Sequence, residues 1–146
     1  MASSKSESQI TWSTSNTKTL STNSWVISDE LLFNVEDWSG MIQFRADNSG
    51  TPASGDTVEI RYLYTVGDLD NGGGPTNDYP DANTSGSTVS RSELAVLLDT
   101  YNNYDPDGSA VPVNTAAKGV KIAARAAQGA TRAIVLSARF ISHRPQ

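Results

Sequence analysis

The residues of this chain that could support catalysis or metal binding are its acidic side chains and a single histidine. That histidine, His143, stands in the terminal segment 142–146, where a Ser-His-Asp arrangement would lack a fixed scaffold. One histidine and no cysteine exclude metal sites built from several imidazole or thiolate ligands. The acids stand mostly in Gly- and Pro-rich loops, not on an apolar face where burial would raise a pKa as a glycosidase requires. We therefore expect a protein that is not an enzyme and that uses no cofactor.

One acidic loop has features of a calcium site. Gly67-Asp68-Leu69-Asp70-Asn71-Gly72 combines Asp-x-Asp spacing with glycines, but it lacks the third oxygen ligand and the distant glutamate of an EF-hand. Two interpretations stay open. The composition favours an acidic turn in a solvated loop, and the alternative is a structural Ca²⁺ that Asp68 and Asp70 share between loops or subunits.

Aromatic and basic side chains are the candidates for contact with a partner. Trp12, Trp25 and Trp38 sit in or beside apolar strands, which predicts core or subunit-interface positions, with stacking on sugar rings as the alternative. Tyrosines in or beside polar loops suit an exposed contact, because such residues anchor interfaces well. The partner-contact candidates are Trp12, Tyr79, Tyr101, Tyr104, Arg125, Arg132 and Arg139.

Charge is unevenly distributed along the chain. The formal net charge is −5, which argues against a general nucleic-acid binder. From Gly108 onward the chain has no Asp or Glu, whereas six basic residues fall there: Lys118, Lys121, Arg125, Arg132, Arg139 and Arg144. This pattern fits two solvated faces of one domain. It also fits a chain whose copies, or whose host surface, meet basic side against acidic side.

The elements that would position these residues follow from the apolar pattern. From Val58 to Val66 apolar and aromatic residues alternate with other side chains, which predicts a half-buried central strand. About eight such short segments with turn residues between most of them predict an all-β, antiparallel, jelly-roll-like β-sandwich. We expect a single domain over residues 9–146 and a flexible Ser-rich arm over residues 1–8. No apolar run approaches the length of a membrane span or of a secretory h-region, so we expect no membrane partner and folding in a cytoplasm.

Strand neighbours can be predicted for some segments. Residues 41–46 and 57–66 flank a strong turn signal and are expected to pair as antiparallel neighbours. Residues 119–126 and 133–141 predict a second hairpin. Residues 92–101 fit either a helix, which local propensity favours, or a strand, which the all-β surroundings favour.

Several segments follow one another in an order shared with a known group of proteins. They are Ala46-Asp47-Asn48-Ser49-Gly50-Thr51-Pro52-Ala53-Ser54-Gly55-Asp56-Thr57-Val58, Tyr64-Thr65-Val66-Gly67-Asp68, Leu97-Leu98-Asp99-Thr100 with Asp105-Pro106, Val111-Pro112-Val113 before Ala117-Lys118-Gly119-Val120-Lys121, and Val135-Leu136-Ser137-Ala138. In this order, over residues 39–140, the chain resembles small virion structural proteins of tailed bacteriophages, which are similar to capsid decoration (cement) proteins.

The resemblance implies a β-sandwich or jelly roll that oligomerises, often as a homotrimer, and clamps neighbouring capsid subunits. The implied partners are the major capsid protein and copies of this chain, and the implied location is the virion, assembled in the host cytoplasm. Nucleic acid is not expected as a partner, because an acidic protein is poorly attracted to packaged DNA. Two alternatives stay open: a tail, neck or fibre-associated virion protein, and a carbohydrate-binding β-sandwich used in host attachment.

Overall fold

The computed structural model describes residues 3–20, 24–48, 53–67, 77, 79, 94–100, 110–126 and 134–145. Within those residues the chain forms ten β-strands and no helix, so no described helix could span a membrane. The strands are β1 (Ser3–Ile10), β2 (Lys18–Leu20), β3 (Val26–Ile27), β4 (Leu31–Leu32), β5 (Ser39–Asn48), β6 (Thr57–Thr65), β7 (Leu94–Asp99), β8 (Ala110–Val113), β9 (Gly119–Ala126) and β10 (Ile134–Pro145).

The strands form two five-stranded antiparallel sheets that enclose one core. The first sheet has the order β1-β10-β5-β8 with β2 beside β10, and the second has the order β3-β9-β6-β7 with β4 beside β9. Four pairings are nested along the chain: β1 with β10, β3 with β9, β5 with β8, and β6 with β7. A double sheet wound in this nested way is a jelly roll. The predicted jelly-roll-like β-sandwich is therefore confirmed.

The number of strands differs from the expected eight. The two additional strands are β2, with three residues, and β4, with two. The other eight make up the nested pairs. Segments this short give little periodic signal, so a count based on alternation does not separate them from the adjoining loops.

The core lies between the two sheets and is built from the alternating faces of the long strands. Ile42, Phe44 and Ala46 of β5 face it from the first sheet and are fully buried or nearly so. Val58 and Ile60 of β6 face it from the second sheet and are fully buried. Small side chains on the buried faces of β9 and β10 allow the two sheets to approach closely: Ala124, Ala126 and Ala138.

The ambiguous segment 92–101 contains a strand. Leu94–Asp99 forms β7, which pairs antiparallel with β6. Leu98 lies opposite Val58 and is buried with it in the core. Tertiary pairing with a central strand thus overrides a local preference for helix.

Both predicted hairpins are wrong. Strand β5 lies between β10 and β8 in the first sheet, whereas β6 lies between β9 and β7 in the second. Strands β9 and β10 likewise belong to different sheets. Alternation at period two specifies which side chains are buried but not which strand lies alongside, so a turn that crosses between sheets has the same sequence pattern as a hairpin turn.

A buried polar cluster marks the corner where the chain passes from β5 to β6. Asn48 Nδ2 donates to Asp56 Oδ2 at 3.0 Å, and the backbone N–H of Ala53 donates to the same oxygen at 2.9 Å. Thr100, which follows β7, donates its hydroxyl to the Asp56 carbonyl oxygen at 3.0 Å. All three side chains of Asn48, Asp56 and Thr100 are buried. These bonds satisfy the Asn48 amide N–H, the Thr100 hydroxyl and the Asp56 carboxylate, whereas the buried Asn48 Oδ1 has no partner among the described residues.

The predicted flexible arm is also wrong for the part that the structure describes. Ser3 to Ser8 form most of β1, which pairs residue by residue with Phe140 to Pro145 of β10. Lys5 and Glu7 point outward, as is usual for a polar strand at a sheet edge. Backbone hydrogen bonds to β10, and not apolar side chains, place this strand in the sheet, so its composition gave no sign of it.

Candidate partner-binding surfaces

Exposed apolar side chains collect at one end of the sandwich. We call this the apolar end and define it as Leu32, Val35, Trp38 and Val66, which are 51%, 99%, 69% and 69% exposed. The strand register brings their elements together, because Gly119 lies opposite both Leu32 of β4 and Thr65 at the end of β6. An added Cβ at Gly119 would lie 2.8 Å from the Leu31 carbonyl oxygen, so glycine allows β4 this close approach.

The loop that carries Val35 and Trp38 is fixed by an ion pair whose carboxylate is buried. Asp37 accepts a hydrogen bond from the backbone N–H of Asn34 at 2.8 Å and one from Arg144 Nε at 2.7 Å. The backbone N–H of Trp38 donates to the His143 carbonyl oxygen at 3.1 Å. Val35 and Trp38 are therefore presented to solvent on a rigid support.

Burial alone would raise the pKa of Asp37. The Asn34 amide hydrogen bond and the Arg144 guanidinium outweigh that penalty, so the pKa of Asp37 lies below its ordinary value. The carboxylate is thus ionised at neutral pH. The charge pair contributes to the stability of the apolar end wherever Asp37 is deprotonated.

The outer face of the second sheet carries a cluster of cations with their partners. Glu59 accepts from Arg61 at 3.1 Å and from Arg125 Nε at 2.8 Å. The Arg125 guanidinium carbon lies 4.5 Å from the centre of the Trp25 ring, within the range of a cation–π contact. Arg125, predicted as a partner contact, is therefore engaged within the chain.

Tyr79 is engaged on the same face. Its hydroxyl donates to Glu30 Oε2 at 2.6 Å, and the Lys121 ammonium lies 4.5 Å from its ring centre. Asn77 Nδ2 donates to the same Glu30 oxygen at 3.0 Å. Burial, together with the bond to Glu30, raises the pKa of Tyr79. Tyr79, a predicted contact residue, therefore has partners within the chain.

The remaining predicted site residues fall into three groups. Trp12 is 3% exposed and lies in the core, so it offers no contact surface in the folded chain. Arg139 stands exposed on the outer face of the first sheet. The others lie outside the described residues: Asp68, Asp70, Tyr101, Tyr104 and Arg132. In the part of the chain that the structure describes, no three acidic or histidine side chains cluster as metal ligands would.

The basic C-terminal region meets acids from earlier strands within the chain. Arg125 pairs with Glu59, and Arg144 pairs with Asp37. Arg139 Nη1 lies 3.5 Å from an oxygen of Glu7. Since β9 and β10 lie inside the sheets and pair with strands from earlier in the chain, the unequal distribution of charge along the sequence is largely removed by the fold.

A polar groove opens on the outer face of the first sheet. It has a volume of about 220 Å³, and its lining is Gln9, Gln43, Arg45, Ser137, Ala138 and Arg139. Sequence reasoning identified only Arg139 among these residues. The others share no local motif, because residues from β1, β5 and β10 become neighbours only through the sheet register.

The apolar end was also missed. Its sequence signal is the run Leu31-Leu32-Phe33-Asn34-Val35, whose composition predicts a strand or an irregular buried segment. Leu31 and Phe33 of this run pack against the core, and the Phe33 ring centre lies 5.3 Å from that of Phe140. Comparisons with protein-family models, with curated proteins and with solved structures gave no match.

Proposed function

We propose that this protein is a non-enzymatic structural component of a bacteriophage virion, a decoration protein that binds and reinforces the head shell. The double-sheet jelly roll supports the proposal, because viral capsid domains use this architecture, as do lectins. The resemblance over residues 39–140 points to the same class. The proposed partners are the major capsid protein and further copies of this chain.

The observation that carries the proposal is the apolar end. Four of the seven large apolar side chains that are exposed among the described residues belong to it, and Trp38 is the largest of them. Exposed apolar side chains that gather at one end of a domain favour an interaction site there, and tryptophan is over-represented among residues that dominate binding energy. The Asp37–Arg144 pair fixes the loop before binding, so less conformational entropy is lost on docking.

The test is co-sedimentation of the purified protein with empty heads. Replacing Val35 and Trp38 together by Ala should weaken binding by about tenfold or more, since a buried anchor contributes about 2 kcal/mol or more. The melting temperature should stay unchanged, because both side chains are already exposed in the free protein.

Leu97 provides the matched control. It is an apolar side chain of β7, 54% exposed, that does not belong to the apolar end. Leu97→Ala should leave binding unchanged. Equal binding by wild type and the double variant would reject the apolar end as the docking surface, and co-sedimentation with tails in place of heads would move the protein to a tail or neck position.

Solution mass tests the self-association separately. Light scattering on the free protein should give a homotrimer or another defined homo-oligomer if copies of the chain are partners before they reach the shell. If the free protein is a monomer but binds heads in many copies, contacts between copies would form only on the shell surface.

A further inference from the structure

The groove on the outer face of the first sheet arises from a gap between two strands. Strand β1 pairs with β10 only as far as Ala138, and β2 begins its pairing at Leu136. Ser137 lies between these points and so has a strand neighbour on one side only, in β5. A short side chain at this gap, with long side chains around it, leaves the space of about 220 Å³.

One wall of the groove is fixed by backbone contacts. Gln9 Nε2 donates to the carbonyl oxygen of Ala138 at 2.9 Å and to that of Ile10 at 3.1 Å. The turn that follows β1 is fixed as well, because Asp29 accepts hydrogen bonds from the backbone N–H groups of Ser13 and Thr14, each at 3.1 Å. The groove is therefore a formed feature of the free protein.

Two arginines face the groove from neighbouring strands. Arg139 lies opposite Gln43, and Arg45 lies opposite Ser137, so the two arginines are diagonal neighbours. Such positions are roughly 7–8 Å apart, which is within reach of one ligand for side chains of this length.

The donors round the groove are only partly used within the chain. Arg139 Nη2 donates to Gln43 Oε1 at 3.0 Å, which orients the guanidinium. Among the described residues, Arg45 has no ion pair or hydrogen bond and Gln43 Nε2 donates to no acceptor. Two acids lie nearby on these strands. Glu7 is 3.5 Å from Arg139, and Asp47 follows Arg45 by two residues on the same strand, opposite Val135.

We propose that this groove binds an acidic sugar, a uronate unit of a polysaccharide. A guanidinium matches a carboxylate through two parallel hydrogen bonds. The Gln43 side-chain N–H groups, the Gln9 side-chain oxygen and the Ser137 hydroxyl supply the mixed donors and acceptors that ring hydroxyls need. The volume lies below the roughly 300–1,000 Å³ of pockets for drug-sized ligands, which suits a single ring.

The lining distinguishes this groove from the apolar end. It contains no aromatic residue, methionine or large aliphatic residue, which are the side chains that usually anchor a protein partner. A small polar ligand therefore fits it better than a protein surface does. The inference does not depend on binding to a head shell, because the groove lies on a sheet face and the apolar end lies at the end of the sandwich.

The test is a calorimetric titration of the intact protein with trigalacturonate. We expect binding to one site, weakened by salt, with no heat from maltotriose, which carries no carboxylate. Arg45→Ala should weaken binding by about 10- to 100-fold, the range for loss of a hydrogen bond to a charged group. The affinity of Arg45→Lys should lie between those of wild type and Arg45→Ala, because lysine keeps the charge but loses the planar pair of donors.

Two further variants distinguish binding in the groove from attraction by the general positive charge of this face. Ser137→Leu fills the groove without changing charge and should abolish binding while the melting temperature stays near that of wild type. Lys5→Ala removes one positive charge from the same face, at a row opposite His143 and outside the groove, and should leave binding unchanged.

Several results would overturn the proposal. Absence of binding to trigalacturonate would do so, as would equal binding of maltotriose. If inorganic phosphate or acetate displaced the sugar at equal concentration, the groove would be a simple anion site. If Lys5→Ala weakened binding as much as Arg45→Ala, the attraction would come from diffuse charge and not from the groove.

Discussion

The outer faces of the two sheets use the same side chains in opposite ways. On the second sheet, Arg125 contacts both a carboxylate and an aromatic ring, and Lys121 lies over the ring of Tyr79. On the first sheet, Arg45 is exposed and has no partner among the described residues. The second face is closed by contacts within the chain, whereas the first face is open to a ligand.

The difference comes from the residue that the register places opposite each arginine. Arg125 lies opposite Glu59, but Arg45 lies opposite Ser137. Arg125 is thus structural because an acid faces it, whereas Arg45, which faces a small polar residue, remains available. Opposite charges at directly facing positions stabilise a sheet by roughly 0.2–1 kcal/mol, and partial burial raises the cost of removing one of the two partners.

The largest loss of stability is expected where an arginine of the first sheet, Arg144, pairs with a buried acid. Asp37→Asn removes the charge that Arg144 faces, in a carboxyl that is 1% exposed. We expect the free energy of unfolding at pH 7 to fall by about 2–3 kcal/mol, since breaking a buried pair leaves a charge uncompensated. Chemical denaturation of both proteins measures the difference. A loss below about 0.5 kcal/mol would contradict the idea that the partner acid determines how much an arginine contributes to stability.

The same pair predicts a pH dependence. Because the pKa of Asp37 is lowered on folding, its contribution is complete above the unfolded pKa near 4 and is lost as the pH falls through the folded pKa. The stability gap between wild type and Asp37→Asn should therefore narrow in acid. A gap that stays constant from pH 7 to pH 2 would contradict the assigned ionisation.

A matched pair of glutamates compares the two faces directly. Glu59 on the second sheet is 16% exposed and contacts two arginines, whereas Glu7 on the first sheet is 51% exposed and contacts one at 3.5 Å. Glu59→Gln should lower the free energy of unfolding by about 1–2 kcal/mol, because two partly buried guanidinium groups lose their acceptor. Glu7→Gln should change it by less than about 0.5 kcal/mol. Similar losses in thermal unfolding would remove the distinction between the faces.

The smallest loss of stability is expected for Arg45, one of the two arginines in the groove. Arg45→Ala should change the free energy of unfolding by no more than about 0.5 kcal/mol, as for other surface positions without partners. Arg125→Ala should lower it by about 1–2 kcal/mol, since it removes both an ion pair and a contact with Trp25. A destabilising Arg45→Ala would mean that this side chain has a structural role.

Much of the fold could be predicted from side-chain alternation, but the strand neighbours could not. The pattern from Val58 to Tyr64 correctly indicated a strand with a buried face, although Val66 lies beyond the end of that strand and is exposed. The all-β surroundings of Leu94–Asp99 correctly favoured a strand there. The sheet in which each strand lies depends on turns that cross between layers, and these turns contain the same glycines and polar residues as hairpin turns. Strand β1 was missed because backbone pairing places it, and Ser-rich composition carries no signal of that.

The candidate surfaces were less predictable than the fold. Arg139 was identified as exposed, but the partners that turn it into part of a groove come from β1 and β5, far away in sequence. The C-terminal excess of basic residues fitted either two solvated faces of one domain or a contact with copies or a host surface, yet Arg125 and Arg144 pair with acids within the same chain. The distribution of charge along the sequence therefore does not predict its distribution on the surface, because strands from the end of the chain lie between strands from its beginning.

The pairing of the first strand in the chain with the last has a mechanical consequence. Ser3 lies directly opposite Pro145, and the pairing continues to Ile10 and Ala138. A force that separates residues 3 and 145 therefore acts across the strands and opens their hydrogen bonds one after another, as a zipper opens, without loading the whole ladder at once. Tension applied at these two positions would peel β1 away at low force, whereas the eight-residue strand β9 lies between β3 and β6 and would resist until the sandwich itself opens.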